Sequence, residues 1–378
     1  MNSKFINFTV LILLLAPSFA WAQEAAVLDQ PAEIPLESPV LDESSAAPDN
    51  VETVEIKAKV TNVLSDNFIE GQQQVIFTAV ADGQTYTVDT AQSLLEGSRY
   101  NIQAGKKVYL QMIKIDGEVS DIFLVDVVRV GSIFWIVLLF FLVVIAIGLW
   151  RGVASLVGLI LTMLIIFGFI LPLVIKGHDP VLLTIIGSIV ILAINMHVAH
   201  GFNRQSLLAY SSTVVGLFLV WIFAEVFVRL ANLSGIASED TAILFFQNPQ
   251  LDWPVGILLA GIILGAVGVL DDIAITQGEV VLELKKANPK LTRKELFIRS
   301  MRVGRHHIAS TVNTLVLAYV GVAMPLLLLF MTTHGVTTMR FINEELVSEE
   351  IIRTLAGTIA LVLTVPIATL FATFAHKD

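Results

Sequence analysis

The sequence contains no cysteine, which excludes disulfides, thiolate metal centres, thiol nucleophiles and a lipidated N-terminal cysteine. It is also poor in charge. Only 15% of its 378 residues are Asp, Glu, Lys or Arg, where a soluble domain carries about 25%. Together with 55% hydrophobic residues and a mean hydropathy of +0.79, this argues against a soluble enzyme. A basic surplus is missing too: the net charge of −10 argues against a nucleic-acid partner, which needs a basic footprint. No cofactor and no metal are expected. His197 and His200, at i and i+3, have no third ligand beside them and read as residues at the end of a span.

What the chain has in abundance is long apolar runs. Residues 1–22 are predicted to be a secretory signal peptide. Lys4 is its positive start, Phe5–Leu15 its short apolar stretch, and Ala20-Trp21-Ala22 a small-x-small cleavage site before Gln23. Residues 23–50, rich in Pro, Ala, Ser and acid, are predicted to be a disordered acidic linker, because such a stretch buries too little apolar surface to offset its ordering entropy. From 51 to 130 the pattern changes. Val54–Val60 alternates with period two, and Val75–Val80, Asp82-Gly83 and Thr85–Val88 form a β-hairpin signature. Strands are also expected at Gly105–Leu110 and Val119–Val130. Four or five strands in about 80 residues suggest a small OB-like or SH3-like barrel, with a plain β-sandwich fragment as the alternative.

Beyond Val130, seven apolar runs approach the ~20 residues that cross a bilayer, at 132–150, 153–175, 181–199, 207–229, 254–276, 309–331 and 352–375. Residues 131–378 are therefore expected to be a seven-helix membrane domain. A cleaved signal puts the β domain outside the cytoplasm, and seven spans return the C-terminus inside. Loop charge tests this independently. The loops assigned inside carry eleven basic residues, eight of them between Lys285 and Arg305, against Lys176, Arg229, Arg340 and Arg353 outside. This agrees with the positive-inside rule. The basic loop 285–305 contains Leu291–Ile298, an amphipathic helix capped by Thr292 that would lie on the inner leaflet among anionic headgroups. The lipid bilayer of a bacterial plasma membrane is the expected surrounding. The net charge also divides: residues 23–130 carry −11, while the membrane domain is neutral.

The fifth run holds the most informative residues, Gly261-Ile262-Ile263-Leu264-Gly265-Ala266-Val267-Gly268-Val269-Leu270-Asp271-Asp272. Each carboxylate costs about 2.5–3.5 kcal/mol at mid-bilayer, which makes intramembrane acids functional candidates by default. The bland alternative is that Asp271 and Asp272 end the span at the inner interface. Gly261, Gly265 and Gly268 form a small face that lets a neighbouring helix approach closely. The sixth run supplies possible partners: His307, Ser310, Thr311, Asn313 and Thr314, with Asn313 near the depth of Asp271. Glu225 and Arg229, at i and i+4, are expected to pair locally. Pro172, Pro325 and Pro366 are expected to kink or break their spans.

These residues resemble the YibE/F family of bacterial multi-spanning membrane proteins. The likeness rests on Gly268–Gln277, on Ala287-Asn288-Pro289, and on the long polar block Gly304-Arg305-His306-His307-Ile308-Ala309-Ser310-Thr311-Val312-Asn313-Thr314 continuing to Tyr319. It covers the spans well and the β domain loosely. The family implies a membrane location but no established activity. A weaker similarity links the glycine-rich span, its Asp-Asp pair and the Ser/Thr-rich span to a stretch of resistance–nodulation–division exporters, whose paired aspartates relay protons. That similarity implies a relay at Asp271 and Asp272, with Thr311, Asn313 and Thr314 as neighbours and Gln277, Glu279, His307 and Tyr319 in support. The departure is that no lysine lies inside any span here.

Two readings follow: a proton- or ion-coupled transporter component, or a non-transporting membrane scaffold or signalling protein whose aspartates are structural. The first suits two adjacent carboxylates in a low dielectric, which resist carrying two charges and can share a proton. Either could assemble as a homo- or hetero-oligomer. No enzyme is expected. Intramembrane aspartyl proteolysis needs two acids facing each other from separate helices, whereas neighbours on one helix point about 100° apart.

Overall fold

The computed structural model describes residues 51–69, 72–90, 102–115, 118–333, 335 and 337–375. The signal peptide and the acidic linker read from residues 1–50 lie outside these, as do the side chain of His200 and the C-terminal Lys377. The chain divides into two compact units between Arg129 and Val130.

The first unit is a five-stranded antiparallel sheet of order β3-β2-β1-β4-β5. Its strands are β1 (Val51–Ile69), β2 (Gln72–Ala81), β3 (Gln84–Asp89), β4 (Lys107–Ile115) and β5 (Glu118–Val127). The expected hairpin is present: Asp82 and Gly83 both adopt positive φ, 50° and 81°, as a tight two-residue turn between twisted strands requires. β1 is central and irregular, with register shifts against β2 at Val60/Asn62 and Val63/Ser65. Such bulges bend a strand and increase its twist, and the two edge strands β3 and β5 come into contact. Alternate residues point inward, and Ala58, Val60, Val75, Phe77, Ala79, Val88, Val108, Leu110 and Leu124 form the core.

The second unit is helical. In order it contains α1 (Val130–Ile165), a π-helical turn (Ile166–Ile170), α2 (Leu171–Ile175), α3 (Pro180–His200), α4 (Arg204–Leu230) and α5 (Glu239–Gln247). It continues with α6 (Pro254–Ala287), α7 (Arg293–Val322), α8 (Met324–Thr332), α9 (Thr338–Ile342) and α10 (Glu345–Phe374). Among the described residues, five helical segments are long and apolar enough to cross a membrane, or six when α7 and α8, bent by 59°, count as one span.

Of the three expected kinks or breaks at proline, the one at Pro325 is seen. Pro325 sits at the start of α8, just past the bend. Pro172 follows the π turn, whose wider coil makes room where a proline ring would collide with the carbonyl four residues back. Pro366 differs: α10 runs through it without a break.

Two expectations about boundaries are corrected. First, the segment read as a basic loop at 285–305 is mostly helix. α6 extends to Ala287 and α7 starts at Arg293, so only a short turn separates them. Thr292 and Glu295 do form the expected capping box, but the helix they start is continuous with the polar span and is no separate surface helix. It packs along one side: Leu296, Ser300 and Gly304, at i, i+4 and i+8, are buried, and Arg293 lies over the ring of Phe374 in α10. Second, the boundary between the first two apolar runs falls at Leu149, whose φ of 48° and ψ of −132° break α1. Such a backbone costs a branched residue about 1–3 kcal/mol. Three residues on, Gly152 has no room for a Cβ beside the carbonyl of Val144.

The helical core is built from α3, α4, α6 and α10, with Ile191, Leu217, Val220, Ile262, Ile263, Val267, Leu270 and Ala360 among its buried residues. At Gly216 of α4 the core helices pack closely. A Cβ there would lie 2.6 Å from Thr364 Oγ1 and 2.9 Å from Leu270 Cδ2. Gly216→Ala should therefore destabilise the protein by about 1–3 kcal/mol through overpacking. Gly268→Ala, with nothing within 4 Å of its Cβ position, should leave stability unchanged or slightly raised. Thermal unfolding of the detergent-solubilised chain distinguishes the two.

Candidate functional site

The candidate site is organised by α6. Pro254 opens it at a position where its missing N–H is no loss. The apolar residues then recur at helical spacing, burying Ile262, Ile263, Ala266, Val267, Leu270, Ile273, Ala274 and Gln277 on one side. The opposite side carries Gly265, Gly268 and Asp272, all exposed. Asp271 lies at the middle of this 34-residue helix, about 25 Å from its start at 1.5 Å per residue.

The two carboxylates have different surroundings. Asp271 is half-buried, and its Oδ1 is buried without a hydrogen-bond partner. Asp272 is 67% exposed, with Oδ2 3.9 Å from Nε2 of His307 on α7. That distance allows a charge interaction but is too long for a hydrogen bond, and His307 Nε2 is itself buried without a partner. Thr311, one turn further along α7, is half-buried. Asn313 and Thr314 are exposed, and Thr314 donates to the carbonyl of Ser310. Among the described residues, neither bonds to either carboxylate. His307 is thus the member of the expected α7 cluster that meets the acid pair, and Asn313 points elsewhere.

The small face of α6 does not receive a helix backbone, contrary to expectation. A Cβ at Gly265 would meet Tyr319 Oη at 3.7 Å, and one at Gly261 would meet Arg353 Nη1 at 3.5 Å. Long polar side chains from α7 and α10 cover the upper part of this face, while Gly268 stays open. Close helix approach occurs instead at Gly216 and Gly304.

Gln277 and Glu279 have separate roles. Gln277 is fully buried where α6, α7 and α10 meet, and its Oε1 accepts from Thr369 Oγ1 at 2.9 Å. Thr369 shares its single hydroxyl proton between this amide and the Val365 carbonyl. A Cβ on Gly304 would approach the Gln277 amide to 3.1 Å, so the glycine is what admits the amide. Glu279 lines a cavity of about 160 Å³ with Arg151, Asn203, Gln205 and Ser206. Ile275 and Gly278 of α6 also line it. By helical spacing they lie on the same side of α6 as Asp271, one to two turns further along.

Sequence reasoning missed the polar start of α10. Arg353, counted above as a loop cation, is helical, and its Nε lies 3.4 Å from Glu350 Oε1. Glu349 is buried with its Oε1 unpartnered. The signal was available: four ionisable residues between Glu345 and Arg353 directly precede the apolar run, as expected for a helix that starts before its apolar part. Other local readings hold. Glu225 and Arg229 form a salt bridge. His197 turns Nδ1 to the Ala193 carbonyl and stacks on Phe202.

A helical bundle whose described residues include five or six segments long and apolar enough to cross a membrane defines the class: a polytopic helical membrane protein. A family model described as YibE/F-like protein matches residues 136–378, and the chain belongs to that family. The match leaves the β unit outside it. No curated protein and no solved structure matches.

The buried amide gives a direct test of the three-helix contact. Thr369→Val should cost about 1–2 kcal/mol by leaving the Gln277 carbonyl unpartnered. The double variant Thr369→Val/Gln277→Leu should recover part of that loss. Thermal unfolding of the full chain in detergent reads both.

Proposed function

We propose that this YibE/F-like protein is a component of a proton- or ion-coupled transporter, with Asp271 and Asp272 at its centre. The observation that carries the reading is a buried, unpartnered carboxylate oxygen of Asp271 within the apolar run of α6. Beside it, an exposed carboxylate comes within charge range of His307. Intramembrane acids are costly and mark ion or proton paths. Adjacent acids on one helix point about 100° apart, so Asp271 lies on the side of the Glu279–Arg151 cavity and Asp272 on the side of α7. A cation passing from one acid to the other would move between these two faces of α6. Tyr319 and Arg353 continue a polar lining along the glycine face, and His307 and Thr311 support it, while Gln277 holds the helices behind it in register.

The proposed arrangement is seven spans in a bacterial plasma membrane, with the β domain outside and the C-terminus inside. The 46-residue segment Val130–Ile175 would extend about 69 Å as one helix, more than twice the hydrocarbon thickness. The break at Leu149 supports counting it as two crossings. The basic residues of the α6–α7 turn support the inside assignment. In the β domain, the central bent β1 and the meeting of β3 with β5 support a barrel of the OB type that would engage an extracytoplasmic partner. The chain would act as no enzyme and bind no nucleic acid.

Proton movement in vesicles holding the purified chain and a pH-sensitive dye tests the function. Wild-type protein should collapse an imposed gradient faster than empty vesicles, and Asp271→Asn and Asp272→Asn should each abolish the difference. Wild-type vesicles that behave like empty ones would overturn transport in favour of a scaffold. Topology is tested on the cysteine-free background. In cells whose outer membrane has been made permeable, an impermeant maleimide should label N248C freely and K290C only after the plasma membrane is opened.

A further inference from the structure

α7 presents a polar stripe to the outside of the helical unit. His306, Ser310, Asn313, Leu317 and Gly321 recur at intervals of four, three, four and four residues, and all are exposed. The opposite side of α7 is committed to its own chain: Leu296, Ser300 and Gly304 are buried, and Ile308 and Leu315 pack on the cluster of Ile273, Leu361 and Val365. The depth of the stripe is set by two contacts. His307 lies beside Asp272 at mid-α6, and Tyr319 lies beside Gly265. Asn313, midway between them, is therefore level with Gly268, about 21 Å from the start of α6 and within the apolar part of the bundle. An amide side chain there cannot face hydrocarbon without loss.

We propose that this stripe is the contact between two copies of the chain, related by a two-fold axis along the membrane normal. Two features favour a second copy over a different protein. The Asn313 amide both donates and accepts, so two of them satisfy each other across the axis. The flanks of the stripe also carry opposite charge. Asp272, beside His307, lies on one flank, while Arg302 and Arg305, both exposed, lie on the other. Where two parallel helices face each other across a two-fold axis, the left flank of one meets the right flank of its mate. Each Asp272 thus faces the basic flank of the other copy, twice over. The contact rests only on α7 being a membrane span, not on transport.

The absence of cysteine makes the test free of background. Single variants across α7 of the full chain are oxidised in native membranes. H306C, S310C, N313C, L317C and G321C should give disulfide-linked dimers, while I308C, V312C and L315C should give several-fold less. Asp272→Arg introduced with S310C should reduce the yield several-fold, and adding Arg302→Asp and Arg305→Asp should restore it. Variants are compared only where the purified protein elutes as one symmetric peak. Uniform yields, no cross-link at any position, cross-links solely to another protein, or a monomer by mass photometry in nanodiscs would each overturn the proposal.

Discussion

The helical unit depends on one asymmetry: α6 is packed tightly on one side and left open on the other. Its buried side interlocks with α4 and α10 through Ile263, Val267 and Leu270, where Gly216 allows contact closer than any side chain would. Burial of that many apolar side chains holds α6 in a single position. The open side has glycines and a carboxylate, which contribute little packing. Asp271 and Asp272 lie where the two sides meet, so one acid is drawn into the bundle and its neighbour is left outside it.

The polar groups of the unit fall into two kinds with different physics. The Gln277 carbonyl accepts from Thr369 in a fully buried place, and Gly304 leaves room for the amide, whose Nε2 has no partner. Such a pair fixes how three helices register, because shifting any of them strands a polar atom in an apolar interior. Asp271, His307 and Glu349 also keep buried polar atoms without partners, and theirs are ionisable groups. An unpaired buried polar atom is costly, and a fold that only needed rigidity would gain by replacing these residues with apolar ones. Gln277 is held fully buried between three helices, whereas Asp271 and His307 lie beside the open face of α6, and that difference in place is the physical basis for separating structural from functional polarity here.

How much of this was legible in the sequence follows from what each signal depends on. The hairpin at Asp82-Gly83, the Thr292 cap and the Glu225–Arg229 pair were readable because each is decided within a few residues. The apolar runs were found, but their ends were misplaced wherever a helix outlasts its apolar part. Lys285 and Arg305 read as loop residues because charge marks the membrane boundary, whereas the backbone goes on as helix beyond that boundary. Arg353 was taken for a loop cation for the same reason. The direction of Asn313 was not legible at all. Helical spacing puts it on a face with Ser310, but which neighbour that face meets depends on α10 covering the opposite side of α7.

That covering also explains why α7 leaves Ser310 and Asn313 exposed. Its first three turns are held by α10 and by the turn from α6, and its end is cut by the bend before Pro325. Between those limits α7 has one neighbouring face, formed by α6 and α10, and no helix of the described chain on its other side. The first half of α1 is likewise without a buried residue, yet its exposed side chains are apolar: Phe134, Trp135, Ile136, Leu139 and Phe140. Lipid satisfies that surface fully. It cannot satisfy Ser310 and Asn313, whose amide and hydroxyl require hydrogen-bonding partners at a depth where water is absent. Equal exposure therefore has opposite meanings on the two helices, and only on α7 does it demand another polypeptide.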